Sequence, residues 1–308
     1  MLMSSMMFKQ KARQALKGNW QTALLITFFT GILTTLASVL QSVTFADVER
    51  LMGSITSALS ALPQSGEISS QQAGEVVHLY NRLFAAVESV PRALWIGLLL
   101  ANVLSIVLTP ALSISCCRYF VLRDQGEDPG LKEGLFSCMP IWRRSLWLYV
   151  RMYAQVFLWT LLFVIPGVIA ALRYSMAPFY LAEDPTLTAK QAIQKSKETM
   201  KDKKLSYLML MVSFVWWSLM TTAVQIVLQP MAGAVITMVV AQFMTLAITT
   251  YINASCAAFY CAATRPGGAD ALLDVMRARM REMGMSDSDI DQAGFGKQEE
   301  EGTDGSEE

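Results

Sequence analysis

The chain has 308 residues; 53% are hydrophobic, 16% are charged, and the formal net charge at pH 7 is zero. Soluble globular proteins carry about 25% charged residues, and several uncharged runs here reach the about 20 residues that a helix needs to cross a bilayer. These properties exclude a soluble globular protein, and we expect no nucleic-acid partner.

The N-terminal segment, residues 1–19, is predicted to be a cytoplasmic amphipathic helix. Its apolar positions share one helical face: Phe8, Ala12, Ala15 and Leu16. Its basic positions lie on the other face: Lys9, Arg13 and Lys17. The apolar run that follows is too long for the central region of a signal peptide, so we expect an uncleaved first membrane helix.

Run length and charge placement predict an all-α polytopic transmembrane bundle over residues 20–264, with about six spans and both termini in the cytoplasm. Lysine and arginine near membrane helices stay cytoplasmic. Most of the 25 present lie in four segments: 1–19, 118–145, 183–204 and 265–308. The segment 44–92 is net acidic and is placed outside. The predicted spans are 20–43, 93–117, 146–165, 168–182, 205–228 and 231–264.

Two turns within the bundle follow from this charge pattern. Residues 118–145 and 183–204 are both assigned to the cytoplasm, so an even number of crossings must fit between them, with a hairpin turn at Pro166 and Gly167. Its second arm, 168–182, is short, and it either crosses fully or re-enters the same face. The last two spans are predicted to turn at Gln229 and Pro230.

The outside segment 44–92 is long for a loop. Its apolar residues have helical spacing over 48–62 and 71–90, on either side of a turn at 63–66. This pattern predicts a helical hairpin that caps the bundle or extends the membrane spans. The alternative is a cap that binds a protein partner or a ligand.

The cytoplasmic segment 183–204 is predicted to contain a juxtamembrane amphipathic helix that begins with a capping box at Thr188 and Gln191. Its apolar stripe is Ala189, Ala192, Ile193, Ser196 and Met200. Such a helix can lie on an anionic leaflet; the alternative is that its lysines only enforce the topology. The segment 265–308 combines a basic helix over 269–283 with an acidic tail that is predicted to be disordered.

The residues that usually carry catalysis are scarce. The only histidine is His78, no phosphate-binding glycine loop is present, and the five cysteines lack the paired spacing of a zinc site. Four acids crowd one cytoplasmic loop without the calcium-binding EF-hand pattern: Asp124, Glu127, Asp128 and Glu133. We therefore expect no enzyme, no catalytic residue, no cofactor and no metal.

Basic residues at or near the membrane are the candidate contacts to a lipid or another anion: Arg173, Arg151, Lys190, Lys197, Lys201 and Lys204. Arg173 lies in the short fourth span, where a charge is costly and often functional. Arg151 is close enough to the cytoplasmic face for its guanidinium to reach the headgroups. The alternative for Arg173 is a re-entrant arm that leaves its side chain in water or bonded to carbonyl groups.

Several motifs resemble a bacterial membrane-protein family known as domain of unknown function 975. They are the run Lys11-Ala12-Arg13-Gln14-Ala15-Leu16-Lys17-Gly18-Asn19-Trp20, the block from Pro166 and Gly167 through Tyr174 to Pro185, Ser196, Trp216 with Trp217, and Ala258-Phe259-Tyr260. The resemblance covers residues 8–262 and implies a multi-pass inner-membrane protein without an established activity. The same central block is also similar, more weakly, to membrane domains attached to some glycerophosphodiesterases, which implies a lipid or envelope context.

Together these observations predict a non-enzymatic scaffold or an envelope and lipid homeostasis module in the bacterial cytoplasmic membrane. The alternative is a transporter or exporter subunit for a lipid, a peptide or another amphipathic solute. Expected partners are membrane lipids, anionic ones included, and a protein that binds through residues 44–92 or the cytoplasmic tail.

Overall fold

The computed structural model describes residues 5–60, 70–265, 268–282 and 284–290. Within these ranges the chain is helical, without strands, which confirms the predicted all-α fold. The helices are α1 Ser5–Leu16, α2 Trp20–Thr44, α3 Ala46–Ser60, α4 Ser70–Ser89, α5 Arg92–Asp124, α6 Leu131–Phe136, α7 Trp142–Leu162, α8 Val164–Tyr174, α9 Ala177–Glu183, α10 Ala189–Thr199, α11 Lys204–Thr264, α12 Gly268–Glu282 and α13 Asp287–Ile290. The chain forms two compact units, Phe29–Ala111 and the remainder.

Among the described residues, five helical stretches are long and apolar enough to cross a membrane: Trp20–Ser42, Arg92–Asp124, Val164–Glu183, Lys204–Leu228 and Val239–Thr264. The protein is thus a helical membrane protein, while the count of six spans stays a prediction. The predicted span outside this set is 146–165. It is helical as part of α7, but Arg151 and Gln155 lower its mean hydropathy.

The unit Phe29–Ala111 contains the two helices predicted within residues 44–92. They are α3 and α4, and they pack against each other. Around them, Ser105 Oγ donates to Leu33 O at 3.2 Å, and the rings of Phe45 and Trp95 lie 5.1 Å apart. The predicted turn at 63–66 lies outside the described residues.

The N-terminal helix α1 belongs to the protein core. Its apolar face is buried, with Phe8 1% exposed and Ala12 and Leu16 fully covered. This face packs against α11 and α12, and the Phe8 and Phe259 rings lie 5.0 Å apart. The amphipathic pattern of the sequence therefore marks a helix that is covered by protein.

Charged side chains fasten α1 to its neighbours. Lys11 Nζ lies 2.8 Å from Asp124 Oδ2, and the Asp124 side chain is 3% exposed. Arg123 Nε donates to Ala15 O at 2.8 Å and so satisfies a carbonyl at the end of α1. Lys9 Nζ donates to Ser213 O at 3.3 Å, and burial, followed by the nearby charge of Arg13, lowers the pKa of Lys9.

The turn between α7 and α8 lies three residues before the predicted position. Phe163 is the extended residue, with φ −158° and ψ 148°, whereas Pro166 and Gly167 lie inside α8. The prediction of a turn at Pro166 and Gly167 is therefore wrong. A proline in the first turn of a helix lacks only an N–H that would have no intrahelical partner, and Gly167 lets α8 approach Thr160 of α7 closely.

The predicted fourth span, 168–182, is made of two helices. The chain bends at Ser175 and Met176, between α8 and α9. Pro178 lies at the start of α9, where its fixed φ favours the helix.

Helix α11 folds back on itself. A straight helix of its 61 residues would measure about 90 Å, roughly three times a bilayer core. However, Lys203 Nζ donates to Ala263 O at 2.7 Å, and the Phe214 and Tyr251 rings lie 5.5 Å apart. The chain therefore reverses between Phe214 and Tyr251. This interval contains the predicted turn at Gln229 and Pro230, where the backbone is helical.

The C-terminal helix predicted over 269–283 is present as α12. Its Arg281 Nε lies 2.7 Å from Asp287 Oδ1 of the short helix α13. The tail residues Asp287–Ile290 form α13, and the rest of the acidic tail, which is predicted to be disordered, lies outside the described residues.

Gly167→Ala is expected to destabilise the protein by about 1–3 kcal/mol, because overpacking a tight contact costs this much. The added methyl carbon would lie 2.9 Å from Thr160 Cα. Thermal unfolding in detergent, followed by tryptophan fluorescence, measures the effect. The control is Gly97→Ala, where a Cβ meets nothing within 4 Å. Equal shifts in the two variants would contradict the close helix contact.

Lys11→Met is expected to lower the free energy of unfolding by about 3 kcal/mol, because removing one partner leaves a buried charge unpaired. The matched control is Arg50→Met, whose ion pair with Asp47 is 81% exposed on both sides and contributes about 0.5 kcal/mol or less. The same unfolding assay compares them. A Lys11→Met variant as stable as Arg50→Met would show that the pair does not hold α1.

Candidate functional site

A buried hydroxyl group joins α10 to the bend between α8 and α9. Ser196 Oγ donates to Arg173 O at 2.7 Å and accepts from Met176 N at 3.2 Å. Ser196 is fully buried. A helix bend leaves a carbonyl and an amide without helical partners, and this hydroxyl satisfies both. The position of α10 is therefore fixed relative to α8 and α9.

A second polar contact joins α9 to the end of α11. Tyr260 OH donates to Glu183 Oε2 at 2.5 Å, and Arg265 Nη2 lies 3.0 Å from Glu183 Oε1. The Tyr260 ring stacks on Phe179 at 5.4 Å and meets Tyr180 edge-on at 5.1 Å. The central and C-terminal motifs of the sequence thus meet in one cluster.

These contacts place α10 beside α7, and two adjoining cavities lie between the two helices. The first is about 640 Å³ and is lined by Arg151, Gln155, Lys190, Ile193, Gln194 and Lys197. The second is about 390 Å³ and is lined by Arg143, Arg144, Trp147, Arg151, Thr188, Ala189 and Lys190. Arg151 and Lys190 line both. We call the two together the cationic groove.

The groove is strongly positive. Among the described residues, its lining contains five cations and no aspartate or glutamate. Gln194 of the lining donates from Nε2 to Glu198 Oε1 at 3.3 Å. A concave surface lined by positive charges raises the local concentration of an anionic ligand.

The cations are held in place by neutral groups. The Arg151 guanidinium lies 5.4 Å from the centroid of the Trp147 ring, and Lys197 Nζ lies 5.4 Å from that of Tyr174. Arg144 Nη1 donates to Pro185 O at 2.5 Å. Aromatic faces and a carbonyl orient a cation without cancelling its charge, so the charges stay available to a ligand.

The first turn of α10 adds backbone donors to the second cavity. Thr188 and Gln191 form the predicted capping box, with Thr188 N donating to Gln191 Oε1 at 2.9 Å. The first intrahelical bond runs from Ala192 N to Thr188 O. The amides of Ala189 and Lys190 precede it and face the helix N-terminus, where anions are favoured.

Beyond the groove, α7 presents an exposed apolar surface. Phe157, Leu158 and Leu161 are 66%, 67% and 78% exposed. The groove therefore lies at the boundary between a charged helix end and an apolar helix face.

The structure brings together three of the six predicted contact residues, namely Arg151, Lys190 and Lys197. Lys201 and Lys204 do not line the groove. Arg173 does not line it either; its side chain is exposed in the last turn of α8, while its carbonyl accepts from Ser196.

Four lining residues of α7 were not singled out as ligand contacts in the sequence analysis: Arg143, Arg144, Trp147 and Gln155. A signal was available for three of them, because Arg143, Trp147 and Gln155 follow one another with Arg151 at intervals of four and so share one helical face. Gln155 Oε1 is buried and has no hydrogen-bond partner among the described residues.

Three comparisons bear on the identity of the protein. No curated protein and no solved structure matches the chain. Residues 1–265 match the family described as Protein of unknown function (DUF975). The match covers all the described helices up to the end of α11, the cationic groove included. The chain therefore belongs to the DUF975 family.

Proposed function

We propose that this protein is a non-enzymatic lipid homeostasis module of the bacterial cytoplasmic membrane, which binds the phosphate group of an anionic lipid in the cationic groove. The observation that carries the proposal is the convergence of five cations from α7 and the α10 region on a concave surface whose described lining has no acid. Arginine and lysine are the side chains that proteins use to bind phosphate.

The position of the groove favours a lipid over a soluble anion. The groove face of α7 continues beyond Gln155 through Leu158, Trp159 and Leu162, which are 67%, 46% and 63% exposed. A headgroup in the groove therefore leaves its acyl chains against exposed apolar side chains. The basic segments 118–145 and 183–204 supply four of the five groove cations, all except Arg151, and the positive-inside rule assigns these segments to the cytoplasm. The ligand is therefore a lipid of the inner leaflet, and both termini are cytoplasmic.

Further partners are part of the same proposal. A lipid-binding module acts on the envelope through other proteins, and α3 with α4 offers a helical surface for one. Val77, Tyr80 and Phe84 are 58%, 43% and 70% exposed along α4. The cytoplasmic tail is the second surface proposed for a protein partner.

A transporter or exporter subunit is the second candidate function. The breaks at Phe163 and at Ser175 and Met176 support it, since discontinuous helices often form substrate sites in transporters. Proteoliposomes with a fluorescent anionic lipid distinguish the two. A module that only binds lipid does not move the fluorescent lipid between leaflets. If the lipid does move and Arg151→Gln abolishes the movement, the protein is a transporter and not a binding module.

Neutralising three groove cations, Arg151→Gln with Lys190→Gln and Lys197→Gln, is expected to weaken binding of phosphatidylglycerol by about 100-fold. Each cation near an anionic lipid contributes about 1 kcal/mol, and 1.4 kcal/mol is tenfold in affinity. Native mass spectrometry of the full chain in detergent, titrated with phosphatidylglycerol or phosphatidylcholine, measures the change.

The control is a second triple variant with the same change of charge at exposed cations outside the groove lining: Lys17→Gln, Arg82→Gln and Lys132→Gln. It is expected to bind phosphatidylglycerol within about twofold of the unaltered protein. Equal loss of binding in both variants would refute the groove as the lipid site.

A further inference from the structure

The cationic groove has two compartments, and each contains cations of its own. Lys197 lines the first compartment alone, while Arg143 and Arg144 line the second alone. Arg151 and Lys190 lie on the shared wall. Since each compartment is many times the about 30 Å³ that one water molecule occupies, each has room for a hydrated phosphate group.

A lipid with one phosphodiester does not match this arrangement. It carries one negative charge, which a single arginine can bind through two parallel hydrogen bonds. Most of the five cations would then stay close together without a counter-charge, and like charges at short range repel. With two phosphates bound, one on each side of Arg151 and Lys190, negative and positive groups would follow one another in turn along the groove.

The second compartment has its own phosphate donors. Arg143 is exposed, and the backbone amides of Ala189 and Lys190 face the helix N-terminus. The capping box uses the Thr188 hydroxyl and the Gln191 amide, and among the described residues the amides of Ala189 and Lys190 donate no backbone hydrogen bond. A phosphate bound there would be separate from one bound between Arg151 and Lys197.

We propose that the groove binds a lipid whose headgroup carries two phosphates, one in each compartment. This inference rests on the proposed function, which requires only an anionic lipid. It adds that the two compartments act together and that the protein selects bisphosphate lipids over monophosphate lipids.

The experiment uses native mass spectrometry of the full chain with three probes: cardiolipin, phosphatidylglycerol at the same phosphate concentration, and phosphatidylcholine. The unaltered protein is expected to bind cardiolipin at least tenfold more tightly than phosphatidylglycerol. Lys197→Gln and Arg143→Gln each remove a cation that only one compartment contains, so each is expected to reduce this preference to about twofold or less. Phosphatidylglycerol binding itself is expected to weaken by no more than about fivefold, the contribution of a single groove cation. Lys132→Gln, with the same change of charge at an exposed site, keeps the full preference.

Each outcome separates the inference from the proposal beneath it. Equal affinity for cardiolipin and phosphatidylglycerol, with both above phosphatidylcholine, overturns the two-phosphate inference and leaves the proposed function standing. Equal affinity for all three lipids overturns both. Glycerol 1,3-bisphosphate is the soluble probe: displacement of cardiolipin at equal concentration would make a soluble bisphosphate the ligand and overturn the lipid assignment. An unchanged elution profile on size exclusion shows that each variant is folded.

Discussion

The hydrogen bonds of the Ser196 hydroxyl group are the interaction on which the groove depends. The bend between α8 and α9 leaves the Arg173 carbonyl and the Met176 amide without helical partners, and buried backbone groups require one. Ser196 supplies both bonds at 2.7 and 3.2 Å. Ser196 lies on the buried stripe of α10, so its two bonds to the bend also fix the position of α10. Lys190 and Lys197 are thereby held on the side of α10 that faces α7.

Features that depend on neighbouring residues could be predicted from the sequence. The capping box at Thr188 and Gln191 is a local pattern of two residues, and the structure contains it. The helices α3, α4 and α12 follow from apolar spacing within each segment. The groove was predictable in part, because the charge pattern that assigns the topology also singled out Arg151, Lys190 and Lys197.

Features that depend on contacts between distant residues could not be predicted from the sequence. The turn lies at Phe163 because a proline is tolerated within a first helical turn, so Pro166 alone does not locate the break. The apolar face of α1 has the same pattern whether lipid or protein covers it, and Phe8 in fact lies against Phe259. The role of Arg143 required knowing that α10 packs beside α7, which no pattern within either helix reveals.

Photolabelling in nanodiscs, with a phosphatidylglycerol analogue that carries a diazirine next to its headgroup, is the most direct test of lipid binding in the cationic groove. Labelled peptides are identified by mass spectrometry. If the cationic groove is the lipid site, the label concentrates on α7 between Trp147 and Phe157 and on α10. The variant with Arg151, Lys190 and Lys197 changed to glutamine then loses the label from both helices. Equal labelling of α7 and of the exposed apolar faces of α2 and α11, unchanged in that variant, would contradict lipid binding in the groove.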